Sequence, residues 1–282
     1  MRALFLVTVD CDLRSPDVAV REAALHALLD AFDECGVAGH VTWFLNENDF
    51  AITANHEAFL REALERGDTI GVHDHVDFMR GEFPVDEVEA YCGRSKAGVE
   101  RWLAAHGRDE PVACHRMGCQ VQRPSVYEAL GRLGYSVVSD VWPGHARRGH
   151  ADFQAFDNRD LPTGIGAYRH DAANFADHGS TEGRFVHIPV MHMGLATRMY
   201  HTLDHEAVGR WLEESMRGGV EPAVVTWLFH PYEIMTGERA ADRGGIDAGR
   251  LETLRSHLRW AGDDRRLELA SMAACAREVG DG

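Results

Sequence analysis

Several short stretches of this sequence carry groups able to do acid, base or metal chemistry. In "TVDCD", Asp10 and Asp12 stand two apart at the end of an apolar run, and an extended chain points both side chains to one face. Carboxylates so close stay ionised together only if a cation or hydrogen bonds hold them. An Asp-rich turn is the plain alternative, since Asp is common wherever a strand becomes a loop. In "TIGVHDHVD", His73 and Asp77 stand four apart with His75 between them. A helical turn would put His73 and Asp77 on one face, able to grip one ion, whereas an extended segment would put His73 and His75 together. A solvated polar loop remains the alternative here. "CHRMG" supplies His115 and Arg116, "YSVVSDVW" supplies Asp140, and "WLFHP" supplies His230. An arginine beside a carboxylate favours its ionised form, and a histidine can deliver or take a proton near neutral pH. Cys11, between the two aspartates, reads as a small packed residue, because those anions raise its pKa and blunt it as a nucleophile.

These residues need elements to position them, and the pattern of the chain supplies β–α alternation. The run "ALFLVTV" precedes a helix with Ser15 as N-cap and Pro16 at its first position, continuing to about Cys35. "HVTWFL", a helix from about Asn55 to Arg66, "TIGV", a helix from about Val85 to His106, "PVACH", a helix opened at Arg123 and "SVVSDV" follow. The polar segment 144–184 reads as long loops with at most one strand, near "GIGAY". Strands return at "FVHIPV" and "AVVTWLF", with a helix near Asp204–Met216 between them and one or two helices after Asp247. Apolar strands alternating with helices imply a parallel sheet covered by helices, within one domain spanning 1–282. In such folds the reactive groups sit just beyond the C-terminal strand ends. Asp10 and Asp12, His73 to Asp77, His115 and Arg116, Asp140 and His230 would then meet on one rim.

The chain has 282 residues and a net charge of −16. That charge repels phosphate backbones and offers no basic face to anionic lipid, so neither nucleic acid nor a membrane surface is an expected partner. The N-terminal apolar run is too short for a signal peptide, no stretch approaches a membrane span, and the six scattered cysteines suit a reducing cytoplasm. The sequence is silent on oligomeric state.

Taken in order, "TVDCD", "HVTWFL", "GDTIGVHDHVD", "CHRMG", "YSVVSDVW" and "WLFHP" resemble the successive motifs of the polysaccharide deacetylase (NodB-homology) family, over about Leu4 to Pro231. The resemblance implies a distorted (β/α) barrel of about seven parallel strands and metal-dependent hydrolysis of an N-acyl group, usually N-acetyl on an amino sugar. It gives Asp10 as general base, Asp12 and His73 as metal ligands, and Asp77 at the family's second ligand histidine, with His75 as its rival. Arg116 would steady the base through the carboxylate of Asp140, and His230 would protonate the leaving amine. One divalent ion is implied, Zn first, with Co, Mn or Ni as alternatives. Trp142 and Trp227 stand where the family often has aromatic walls, although ordinary core packing is the favoured reading for each. His115, His187 and His192 read as solvent, strand or loop histidines, His192 and His115 having a possible place in the pocket. The expected substrate is a small N-acylated amine such as an amino sugar, a nucleotide sugar or an antibiotic precursor, with specificity carried by loops 144–184 and 194–205. The rival readings are a metal-independent amidohydrolase of the allantoinase-like branch and a non-catalytic carbohydrate-binding relative.

Overall fold

The computed structural model describes residues 3–79, 82–148, 153–162, 165–178, 180–195, 203–218, 222–237 and 244–280. The chain runs β1 (Ala3–Asp10), α1 (Val18–Glu34), β2 (Val41–Leu45), the short helices α2 (Glu47–Phe50) and α3 (Ile52–Asn55), α4 (Glu57–Glu65), β3 (Thr69–Asp74), α5 (Val85–Ala105), β4 (Cys114–Met117), α6 (Pro124–Arg132) and β5 (Val137–Val138). It continues through β6 (Ala146–Arg148), β7 (Gln154–Asp157), β8 (Tyr168–His170), β9 (Phe185–His187), β10 (His192–Met193), α7 (His205–Gly218), β11 (Val224–Phe229), α8 (Ala248–Asp263), β12 (Leu267–Leu269) and α9 (Met272–Gly280).

The main sheet has the order β10-β11-β1-β2-β3-β4-β5-β9-β8, with β12 pairing onto the start of β1. Every pairing along it is parallel except that of β9 with β8 at the edge. The sheet curls into a half-barrel, the distorted (β/α) barrel that the family resemblance implied, with the parallel strands that the alternating pattern led one to expect. Each parallel return needs a crossover, and the apolar stripes of α1, α4, α5 and α6 are buried in the same core as the strands. None of the helices among the described residues is long and apolar enough to cross a membrane.

The two faces of the sheet separate by residue parity. On β1, Ala3, Phe5, Val7 and Val9 join the large core beneath the helices. Leu4 and Leu6 join a second cluster with Phe44, Cys114, Val137, Met272 and Cys275. Thr8 and Asp10 continue the Leu4 and Leu6 parity, so the same inner face is apolar at one end, closed by α9, and polar at the other. Met272 N–H donates to Thr42 Oγ1 at 3.0 Å, fastening α9 under the sheet. Gly71 has no room for a side chain, because a Cβ there would lie 2.8 Å from the Phe44 ring that fills the inner face.

Three local expectations change. The cap of α1 is Asp17, whose carboxylate accepts the Ala19 N–H at 2.8 Å, while Ser15 Oγ instead accepts the Asp17 N–H one step earlier. The helix expected from about Asn55 to Arg66 is α4, which starts two residues later at Glu57, with the short α3 ending at Asn55 before it. The segment from 144 to 184 contains β6, β7 and β8 rather than one strand, the first two forming an antiparallel hairpin of their own. Residues 163–164, within and beside "GIGAY", and 196–202 of the second expected specificity loop lie outside the described residues.

Candidate active site

Asp10 ends β1 on the inner face and is 3% exposed. Its Oδ1 accepts from Arg116 Nη1 at 2.8 Å. Arg116 is fully buried, a state that a charged side chain tolerates only when its donors are satisfied. They are: Nη1 also donates to Thr8 Oγ1, Nε to the Ser139 carbonyl and Nη2 to Ser139 Oγ, while the guanidinium lies 4.3 Å over the Phe44 ring. The arginine therefore reaches the expected base directly, and the expected relay through Asp140 is not formed. Asp140 accepts the Met117 N–H at 2.6 Å, and its Oδ2 has no hydrogen-bond partner among the described residues. Burial pushes its carboxyl up to about 6, consistent with a group not held ionised by an arginine.

Asp12 lies two residues further on and is also 3% exposed. Asn46 Nδ2 donates to its Oδ1 at 2.8 Å, and Oδ2 lies 3.3 Å from His75 Nε2 and from Arg14 Nη2. His73, paired in register with Arg116 across β3 and β4, donates from Nδ1 to the Arg116 carbonyl at 3.0 Å. His75 Nδ1 faces Asp77 Oδ1 at 3.1 Å. Both Nδ1 atoms thus carry hydrogen, and the two Nε2 atoms face each other at 3.1 Å beside Asp12. Two neutral imidazoles cannot hydrogen bond to each other in that way; a cation or a proton must stand between them. Among the described residues, Asp12, His73 and His75 form one group with divalent-ion spacing, and Asp77 belongs to a neighbouring group with His75 and Cys119 that shares His75 with the first.

The electrostatics agree with this geometry. Burial alone would raise the Asp12 carboxyl, but His75, its hydrogen bond and His73 outweigh it and hold the group well below the usual range. Burial likewise opposes charge on His75, and Asp12 and Asp77 overcome it, keeping that imidazole well above its ordinary value. Burial lowers His73 despite the nearby aspartates, which suits a neutral nitrogen donor. Burial first, and Asp10 and Asp12 second, push the Cys11 thiol well up, making it a poor nucleophile.

His230 follows β11 and faces the same cavity as Asp10, Asp12, His73 and His75. Its Nδ1 and its backbone N–H both go to Glu233 Oε1, at 2.8 and 3.0 Å, and the other oxygen of this fully buried glutamate takes the Leu195 N–H at 2.6 Å. A carboxylate at Nδ1 fixes the ring and presents Nε2 to the cavity. The site therefore contains an aspartate held by an arginine, three side chains spaced so that they could share one ion, and a histidine held by a glutamate.

At the level of sequence, no family model and no curated protein matches the chain. Solved structures do. A protein from Mycobacterium smegmatis assigned to the polysaccharide deacetylases superimposes with a TM-score of 0.61 at 13% identity, over 99% of this chain and 91% of that one. The chain has the polysaccharide deacetylase fold. A 4-α-glucanotransferase from Thermococcus litoralis also superimposes, with a TM-score of 0.59 at 12% identity over 99% of this chain but 40% of that one. The fold thus supports more than one chemistry, and function rests on the site.

Within the polysaccharide deacetylase fold of this chain, sequence reading missed Glu233, Asn46 and Gly118. The spacing "HPYE" carried a signal for Glu233, since a glutamate three residues past a histidine can turn back onto it. Gly118 carried none: a Cβ there would lie 2.4 Å from His75 Nδ1, so the backbone after β4 lies directly against the imidazole. His115 is fully buried on the outer face of β4, 3.2 Å from Asp74 Oδ2, and is neither solvent-facing nor in the pocket. His187 is buried and accepts the backbone N–H groups of Asp140 and Val141, and burial depresses its pKa well below the ordinary value. Trp227 is fully buried, donating to the Gly194 carbonyl at 3.0 Å, so it is core and not a wall; Trp142 stacks on His145.

Proposed function

We propose that this protein is a metal-dependent N-deacylase that removes an acyl group, most simply acetyl, from the amine of a small sugar-like substrate. The observation that carries the reading is the convergence of Asp12, His73 and His75 beside the Asp10–Arg116 and His230–Glu233 pairs in one cavity. Asp12, His73 and His75 are the ligands in this reading, and Asp77 acts through His75. Two imidazoles and one carboxylate make a donor set that suits zinc, with an open position for substrate.

A divalent ion held there would polarise the acyl carbonyl and make a bound water a better nucleophile. Asp10, held in place by the Arg116 hydrogen bond, takes the proton of the attacking water. His230, its Nδ1 fixed by Glu233, gives a proton from Nε2 to the departing nitrogen. The surrounding side chains leave a cavity of about 20 Å³ among these groups, room for about one water. Beside Asp12 and His75 a cleft of about 310 Å³ opens, lined by Arg14, Asp49, Phe50 and Tyr91, with Phe78 58% exposed at its edge. That cleft suits the amine-bearing part of the substrate, since an exposed ring next to polar groups gives a sugar a face to stack on.

The test is chelation followed by reconstitution with Zn, Co, Mn or Ni, read by mass spectrometry on N-acetyl and N-formyl sugars, free and nucleotide-linked. Turnover lost with chelator and restored by metal supports the reading. Turnover indifferent to chelator would overturn the metal and favour a metal-independent amidohydrolase.

A further inference from the structure

One polar side chain in the cavity has no work in this scheme. Gln120 follows β4 by three residues, is 3% exposed, and lines the cavity with Asp10, Asp12, His73, His75 and His230. Each of those five has a protein partner. Neither Oε1 nor Nε2 of Gln120 has one among the described residues. A buried carboxamide left unpaired costs stability, so a protein keeps one where something outside the chain completes it. The backbone gives a second sign. Cys119 and Gln120 are consecutive non-glycine residues in the left-handed region, both with φ of 54°, a conformation that costs energy and is held only by its surroundings. Here Gly118 packs against His75, and Gln122 donates to the Asp140 carbonyl at 2.7 Å, pinning the segment at both ends.

We infer that Gln120 reads the amide of the substrate: Oε1 accepts the N–H of the scissile N-acyl group, and Nε2 donates to an oxygen of the same molecule. This rests on the N-deacylase reading. The two carboxylates in the cavity have other work in this scheme, Asp10 taking the proton of the attacking water and Asp12 facing Asn46 and the imidazoles. A carboxamide offers a donor and an acceptor together, which an amide matches. An ester, with oxygen in place of N–H, leaves Oε1 unpaired, and a site built around such a hydrogen bond discriminates against a substrate lacking it. Gln120 is thus a specificity residue selecting amide over ester.

The experiment compares metal-reconstituted wild type with Gln120→Met and Gln120→Leu on 4-nitroacetanilide and 4-nitrophenyl acetate, which differ at the reacting bond by N–H against O. The ratio of kcat/KM for amide over ester should fall about tenfold or more in both variants. Their unfolding midpoints should equal or exceed that of wild type, since an unpaired carboxamide has been removed. An unchanged ratio in active variants overturns the inference alone. A fall in midpoint of more than about 4 °C in both variants would mark Gln120 as structural and overturn it as well. A wild type that hydrolyses neither compound nor any N-acyl sugar overturns the deacylase reading, and this inference with it.

Discussion

Asp77 Oδ1 lies 3.1 Å from Nδ1 of His75, so the aspartate stands behind the imidazole whose other nitrogen faces Asp12 and His73. A carboxylate in that place orients a ligand histidine and raises its basicity. Asp77→Asn should therefore weaken metal binding by about 10- to 100-fold without abolishing it, while His73→Ala and His75→Ala should each abolish stoichiometric binding. Equilibrium dialysis against Zn or Co reads the difference. Complete loss in the Asp77 variant, with His75→Ala retaining metal, would make Asp77 the ligand.

Gly118→Ala changes no ligand, yet its Cβ would fall 2.4 Å from His75 Nδ1. The imidazole must then move or the segment after β4 must lift, at a cost of about 1–3 kcal/mol. The expected outcome is weaker Co binding with an altered visible spectrum and a lowered unfolding midpoint. A wild-type spectrum and affinity would show that the backbone does not buttress His75.

Glu233 holds His230 through Oε1 and Leu195 through its other oxygen. Glu233→Gln keeps the size but removes the carboxylate that accepts both the ring Nδ1–H and the backbone N–H of His230. The rate should fall by about 10²-fold or more as the imidazole loses its fixed orientation. A kcat equal to that of wild type would dissociate Glu233 from proton delivery.

Asp140 is buried, and its carboxyl is pushed up to about 6 by that burial. A carboxyl whose folded pKa lies above its unfolded value stabilises the fold while protonated, and this contribution is lost as pH rises through the folded value. Asp140→Asn keeps an oxygen for the Met117 N–H and cannot ionise. Relative to wild type, the variant should gain stability between pH 4 and pH 7 by up to about 3 kcal/mol, read from urea unfolding across that range. A gap independent of pH would mean that Asp140 ionises in the fold as easily as in the unfolded chain.

The alternation of the strands and the polar residue after each one were legible in the sequence, because burial on both faces leaves continuous apolar runs and because parallel strands gather their C-terminal ends. Thus Asp10, Asp12, His73, Arg116 and His230 could be placed on one rim from residue pattern alone. Which of His75 and Asp77 stands beside Asp12 could not be, because "HDHVD" permits either an extended or a helical path. The tertiary structure decides it: pairing of His73 with Arg116 and of Asp74 with Met117 keeps the chain extended into His75, and the helical turn begins only at Asp77. Residues two apart then share the inner face, and Asp74 turns outward to His115. The partners of the acid and base were hidden for a similar reason. Arg116 reaches Asp10 across 106 positions, with the sheet order putting two strands, β2 and β3, between β1 and β4 and curvature bringing the side chains together. Sequence determined which groups arrive at the rim; the curl of the sheet and the close backbone at Gly118 determined which of them touch.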